Sequence, residues 1–412
     1  MVQTIAVIGG GITGVTTAYA LMLRGFTVTL FERHRYAAME TSFANAGQIS
    51  ACNAEVWNRT ATVINGLKWM LRKDAPLLIH PQPTWHKLSW LAEFVASIAH
   101  YETNTIATAR LALKAREHLF AWAQTEGIDF DLRTRGILHV YRDAAGFAHG
   151  QNVSKLLLRG GVVRQTVGPE EMRAIEPAIS GELVGGFYTP DDSTGDIHQY
   201  TVGLAAAAQR KGVQLRFDHA VQALTPTSTG IRVRSLCDGA VHDAEFKAVV
   251  VCAGVASRSL AASLGDRVNV YPVKGYSITV DLPDEASRSA APVVSLLDDR
   301  ARVACSRLGE GRLRVAGTAE FNGEDRDIRA SRIQPLVGWV RQNFPAVNTR
   351  HAIPWAGLRP MMPNLMPRVG PGARPGVFYN TGHGHLGWTL AAATAELVAD
   401  AVQAAHPHAA GG

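Results

Sequence analysis

Apolar positions cluster in short runs at the start, middle and end of the chain, with alternating or irregular segments between them. Residues 5–8 (IAVI) are continuously apolar, long enough for one buried parallel strand. A glycine-rich turn, a helix and a second apolar strand over 27–31 follow. Residues 40–50 are small and polar without a period. Residues 55–101 read as irregular, with Trp57, Trp69, Trp85, Trp90 and prolines at 76, 81 and 83. Helical spacing over 107–125 predicts a helix ending near Gly127. Residues 136–142 alternate like a strand, and 169–176 and 199–211 suit helices, the second closed by Gly212. Strands are expected over 213–217 and 230–235, around a turn at Thr225-Pro226, and 246–253 reads as a buried strand ending in glycine. From 271 to 319 short strands alternate with charged turns, the pattern of an antiparallel sheet. A helix over 331–343, a strand over 376–380 and a helix over 389–404 close the chain.

The first unit carries chemistry. Gly9, Gly11 and Gly14 form G-x-G-x-x-G between a strand and a helix. The first glycine permits the tight turn, the second lets backbone approach a pyrophosphate, and the third lets helix and strand pack closely. The helix N-terminus adds unpaired N–H groups and a partial positive charge. The second strand ends at Glu32, where a carboxylate can take two ribose hydroxyls and disfavours a 2′-phosphate. NAD and FAD both remain open on these residues. Parallel-sheet pieces at the start, middle and end, interleaved with a mainly antiparallel insert, point to a two-domain flavoprotein of the α/β class. The expected division is an FAD-binding Rossmann-like domain from 1–54, 196–267 and 351–412. An α+β substrate domain takes 55–195 and 268–350.

Composition narrows the partners. The 412 residues are 47% hydrophobic and 18% charged, ordinary for a globular protein. A formal charge of +6 is spread thinly, which argues against nucleic acid. Cys52, Cys237, Cys252 and Cys305 are far apart, with no C-x-x-C pair, as expected in a reducing compartment. A first strand at residue 4 leaves no room for a secretory leader, and no apolar run approaches the ~20 residues of a membrane span. The expectation is a cytoplasmic protein, with peripheral contact at the inner membrane as an option. The Trp-rich insert with Lys68, Arg72 and Lys73 suits an interface.

Six segments carry a resemblance: ETSFANAGQIS (40–50), GLKWMLRKDAPL (66–77), PDDSTGD (190–196), YPVKGYSIT (271–279), WAGLRPMMP (355–363) and NTGHGHLGWT (380–389). On these the chain resembles the bacterial D-amino acid dehydrogenase small subunit, within the glycine oxidase and D-amino acid oxidase superfamily. The resemblance implies FAD. Thr41, Ser42, Asn45, Ala46, Gly47, Gln48 and Ile49 would pass along its pyrophosphate and ring edge, and Val221 would meet the adenine through backbone. Ala253 and Gly254 would end a strand against the dinucleotide, and Gly384, His385, Leu386 and Gly387 would aim N–H groups at the flavin N1–C2=O edge. Arg359 matches the arginine that grips the substrate carboxylate, Tyr276 is a candidate hydroxyl contact, and Lys274 is either above the flavin or at the surface.

The implied reaction is oxidation of a D-α-amino acid to an imino acid by hydride transfer, followed by hydrolysis to a 2-oxo acid and ammonia, with electrons passed to a carrier or quinone. No strong side-chain base is then required. No metal is expected: His383 and His385 lack further ligands, and His80, His86 and His100 read as surface decoration of the insert. Ala51-Cys52-Asn53, Asn364-Leu365 and His385 depart from the family pattern, which leaves the preferred side chain open beyond the D-alanine default. A glycine or sarcosine oxidase using oxygen, and a flavin subunit inactive without a partner, are the alternatives.

Overall fold

The computed structural model describes residues 3–69, 77–80 and 83–407. Arg72, Lys73, Pro76 and Pro81 lie outside the described residues. The first strand, Thr4–Ile8, sits inside a six-stranded sheet. Its order is Arg368–Pro371, Val377–Thr381, Ala248–Val251, Thr4–Ile8, Thr27–Phe31 and Gln214–Arg216. All neighbours run parallel except the first pair. Ala248–Val251 is buried at every position, as a strand covered on both faces must be. One face of the sheet is closed by helices Ile12–Leu23, Ile197–Arg210 and Gly387–Ala405, whose inward positions include many small residues, Ala, Thr and Gly. The small side chains let helix axes approach closely, and Thr16 Oγ1 reaches the carbonyl of Ala391 across the gap at 3.4 Å.

The second large sheet is mostly antiparallel. Its ordered path runs Ile353–Met361, Tyr271–Asp281, Arg312–Phe321, Val303–Leu308, Ser295–Asp298, Ile137–Tyr141, Gly185–Thr189 and Gln165–Val167. Leu77–Ile79 adds a parallel edge beside Arg312–Phe321. Helix Ala330–Asn343 packs Leu336, Val337 and Val340 onto one face of this sheet. Two residue pairs, Gln48–Ile49 and Ser193–Thr194, form a separate two-stranded ladder that ties the segment after the first unit to the larger sheet's neighbourhood.

Several expectations change. The stretch read as irregular contains helices Thr60–Trp69 and Trp85–Ala96. Thr84 caps the second, its hydroxyl accepting from the Lys87 N–H, and a proline precedes that cap. Thr225-Pro226 is the end of strand Ala220–Pro226, not a turn; the chain turns through 227–230 into Ile231–Cys237. Pro226 is tolerated because that strand is paired on one side only. A third strand, Ala240–Phe246, escaped the sequence because it is exposed at six of seven positions and lacks an apolar signature. Ile137–Tyr141 alternates in sequence but is buried throughout, since it lies between two neighbours inside the sheet.

Candidate active site

At the mouth of the parallel sheet the glycine turn is packed too tightly for side chains. A Cβ on Gly14 would fall 1.8 Å from the Gly9 carbonyl oxygen, and one on Gly9 would fall 2.6 Å from the Cys252 carbonyl oxygen. Gly9 also holds φ +112°, a region that favours glycine. The turn therefore abuts Cys252 and Ala253, at the end of the central strand. Gly11 caps the first helix without a side chain, and Ser42 Oγ accepts from the Ile12 N–H at 3.0 Å. Glu32 is buried beside this turn, accepting from the N–H groups of Gly10 (2.6 Å) and His34 (3.0 Å). The Glu32 carbonyl takes the His219 N–H, which brings Val221, two residues on, to the same edge. Gly254 opens the 3-10 turn Gly254–Ala256 with φ +55°. A helix start whose own N-cap is a glycine, a turn packed on glycines and a buried acid just past the neighbouring strand fit a dinucleotide's pyrophosphate and ribose.

From there residues 41–48 lead into a cavity of about 280 Å³ lined from both large sheets. Thr41, Asn45, Ala46, Gly47, Gln48, Tyr276, Arg359 and His385 share its wall. Ile49 is buried just behind in the Gln48–Ile49 ladder. Gly47 holds φ +75°, and the Trp388 indole donates to its carbonyl at 3.3 Å. Gly384, His385 and Leu386 form a 3-10 turn running directly into helix Gly387–Ala405. Gly384 has φ +59°, and a Cβ there would stand 3.3 Å from Met361.

Arg359 is the unusual group. Its guanidinium lies flat over Gly275, where a Cβ would come within 2.4 Å of Cζ. Among the described residues its one hydrogen bond is from Nη1 to the Thr318 carbonyl at 3.4 Å, and no carboxylate pairs with it. Desolvation pulls its pKa down to about 10, so it stays charged at neutral pH. A cation held without a counterion inside a cavity is a site for an anionic ligand. Gly275 pairs with Gly357 across the strands, and Trp355 lies over Gly357 in the same way. Glycine at mid-strand is the signal that marks such close approach, and it is present in both YPVKGYSIT and WAGLRPMMP.

Other candidates fall differently. Tyr276 reaches the cavity wall, but its hydroxyl donates to Glu320 Oε2 at 2.5 Å, and burial and that carboxylate raise its pKa. Lys274 is neither over the cavity nor at the surface: it is fully buried, 3.4 Å from both Glu320 and Asp325. His80 is not mere decoration, since Nε2 lies 2.5 Å from Glu320 Oε1. His86 is half-buried against Tyr271 and pulled down to about 4 by burial, while His100 is exposed. His383 is locked to Thr394 at 2.8 Å and His385 stacks on Trp57 at 4.4 Å; burial lowers both to about 3, leaving them neutral. Sequence reasoning missed Glu55, Trp57, Arg59 and His139, which line the cavity from separate segments. His139 contacts the Cys52 thiol at 3.2 Å, and burial holds that thiol well above its usual pKa.

Known proteins resemble this chain over nearly its whole length. The family model described as FAD dependent oxidoreductase matches residues 4–401. D-amino acid dehydrogenase 3 of Mesorhizobium japonicum is 60% identical over 400 residues, 97% of this chain and 96% of that protein. A D-amino acid dehydrogenase of Paramagnetospirillum magneticum is 41% identical, covering 97% and 94%. Among solved structures, glycine oxidase from Geobacillus kaustophilus superposes with a TM-score of 0.74 at 22% identity, covering 98% of this chain and 95% of that one. The last likeness is one of fold.

Proposed function

Because the chain belongs to the family of FAD-dependent oxidoreductases, we propose that it is a D-amino acid dehydrogenase, oxidising D-α-amino acids to imino acids that hydrolyse to 2-oxo acids and ammonia. The observation that carries the reading is the unpaired Arg359 guanidinium facing the same cavity as residues 41–48 and His385. When bound, FAD supplies the acceptor for the hydride that leaves the substrate α-carbon.

The chain's own residues do the rest. Gly9, Gly11 and Gly14 would leave room for the pyrophosphate, with Glu32 on the ribose and Ser42 securing the helix start. Val221, Ala253 and Gly254 would border the adenine end, and Thr41 to Ile49 with Gly384 to Gly387 would frame the ring. Arg359 would fix the carboxylate by two parallel bonds, orienting the α-carbon. Tyr276 shapes the wall beside it, its hydroxyl committed to Glu320. Residues 1–54, 196–267 and 351–412 would form the cofactor domain, and 55–195 with 268–350 the substrate domain. Both pieces contribute cavity wall.

Anaerobic addition of D-alanine should bleach the flavin of the purified protein, while L-alanine should not. Dye reduction should greatly exceed peroxide release in air. Bleaching by L-alanine, or no bleaching by any D-amino acid without an added protein, would overturn the reading.

The electron acceptor is proposed to be a membrane quinone, reached from peripheral contact with the bilayer. No helix among the described residues is long and apolar enough to cross a membrane. Support comes from helix Trp85–Ala96, whose outer face presents Trp85 (83% exposed), Leu88 and Val95 at helical spacing, with Ala92 between them. Wild-type protein should sediment with anionic vesicles. Replacing Trp85 and Leu88 by serine should release it while dye-linked turnover persists. Equal sedimentation of the double variant would remove this helix from the contact.

A further inference from the structure

We infer that Glu55 and Arg59 form a side-chain subsite that selects D-amino acids carrying a carboxamide, an inference that rests on the dehydrogenase reading above. Both residues line the cavity, and each keeps a solvent-open functional atom unspent. Among the described residues Glu55 accepts its hydrogen bonds through Oε1, from the Tyr101 hydroxyl at 2.7 Å and His149 Nε2 at 3.1 Å, and the Arg59 Nε lies 3.1 Å from the same oxygen as an ion pair without a hydrogen bond. Its Oε2 has no partner among the described residues, yet it is not sealed from solvent. Arg59 Nη1 donates to His149 Nδ1 at 3.1 Å, which leaves Nε2–H for Glu55; its Nε is buried without a hydrogen bond, and its Nη2 has no partner among the described residues and is open.

The pair stands where a substrate side chain would reach. His385 shares the cavity wall with both Arg359 and Glu55, and it stacks on Trp57, between Glu55 and Arg59 in sequence. A ligand gripped by its carboxylate at Arg359 therefore has an aromatic wall leading toward the Glu55–Arg59 pair. There it meets one open acceptor and one open donor. A carboxamide offers the complement, an N–H for Glu55 Oε2 and a C=O for Arg59 Nη2. Net charge of either sign is penalised: an ammonium would face Arg59 and a carboxylate would face Glu55. An apolar isostere would leave both groups desolvated without partners.

The cluster also pins residues 55–59 to helices Tyr101–Glu126 and Ala144–Arg159, so the test must separate selection from scaffolding. The isosteric trio D-asparagine, D-aspartate and D-leucine does this, with D-alanine as reference. In wild type kcat/KM for D-asparagine should exceed that for D-leucine by about tenfold or more. Glu55→Gln can keep an oxygen toward Tyr101 and His149 but turns the open acceptor into a donor. The D-asparagine to D-aspartate ratio should then fall by about tenfold or more, because Arg59 is left uncompensated beside a second donor. Arg59→Lys, which loses the fork, should erode the D-asparagine preference and serves if Glu55→Gln does not fold. An unmoved ratio in folded, flavin-loaded variants, or a wild-type preference for D-leucine, overturns the inference while leaving the dehydrogenase reading intact if D-alanine is still oxidised. Failure with every D-amino acid removes both.

Discussion

Arg359→Gln should lower kcat/KM for D-alanine by roughly a thousandfold, about 4 kcal/mol, within the range for removing one partner of a desolvated charge pair. Arg359→Lys should recover only part of the loss, because an ammonium restores charge without the planar fork that fixes a carboxylate in two places. The same substitution carries a second expectation that separates substrate binding from architecture. In the free protein the guanidinium has one long bond to a carbonyl and no counterion among the described residues. Its desolvation is uncompensated, so Arg359→Gln should leave the Tm of the protein unchanged or raise it. Activity by dye reduction and Tm by calorimetry check both parts. A Tm that falls along with activity would make Arg359 a structural cation. The cradle gives a corollary: Gly275 has no space for a Cβ under the guanidinium, so Gly275→Ala should copy the kinetic defect by displacing it.

What was legible in the sequence was local. The strand at Thr4–Ile8, the glycine turn, Glu32 and the closing helix each declare themselves within a dozen residues, through period, turn chemistry and capping. Arg359 was legible because it sits in a short motif. The distal cavity wall was not: Glu55, Arg59 and His139 become neighbours only through packing of segments some eighty residues apart, with no spacing to announce it. Buried charge misled for the same reason. Lys274 and His80 look like surface residues until Glu320, buried in Arg312–Phe321, gives each a partner. Helices Thr60–Trp69 and Trp85–Ala96 were obscured by apolar side chains facing outward, Ile64 in the first and Trp85, Leu88 and Val95 in the second, which blur the helical period, and the second also by Pro83 just before its cap.

Two glycines of the same turn should fail in different ways. Gly14→Ala should yield protein with little bound flavin and a Tm lower by several degrees. Its Cβ would overlap the Gly9 carbonyl at 1.8 Å, and neither backbone segment can retreat: the turn is backed by Cys252, just past the end of strand Ala248–Val251. Such overpacking costs typically 1–3 kcal/mol and distorts the turn that receives the pyrophosphate. Gly11 presents the opposite case. A Cβ there meets nothing closer than Ser42 Oγ at 3.5 Å, an ordinary contact, and its φ of −74° suits any residue. Gly11→Ala should therefore keep the Tm of the flavin-free protein. It should nonetheless weaken FAD by about 10- to 100-fold, since a methyl would hold the phosphate away from the backbone N–H groups and leave one or two hydrogen bonds unmade. Flavin content by absorbance, FAD affinity by fluorescence titration and Tm of the stripped protein distinguish the two. Equal loss of Tm in both variants would mean that the turn is a rigid structural knot throughout. The expected split instead assigns the third glycine to packing of helix on strand and the second to the space the cofactor needs.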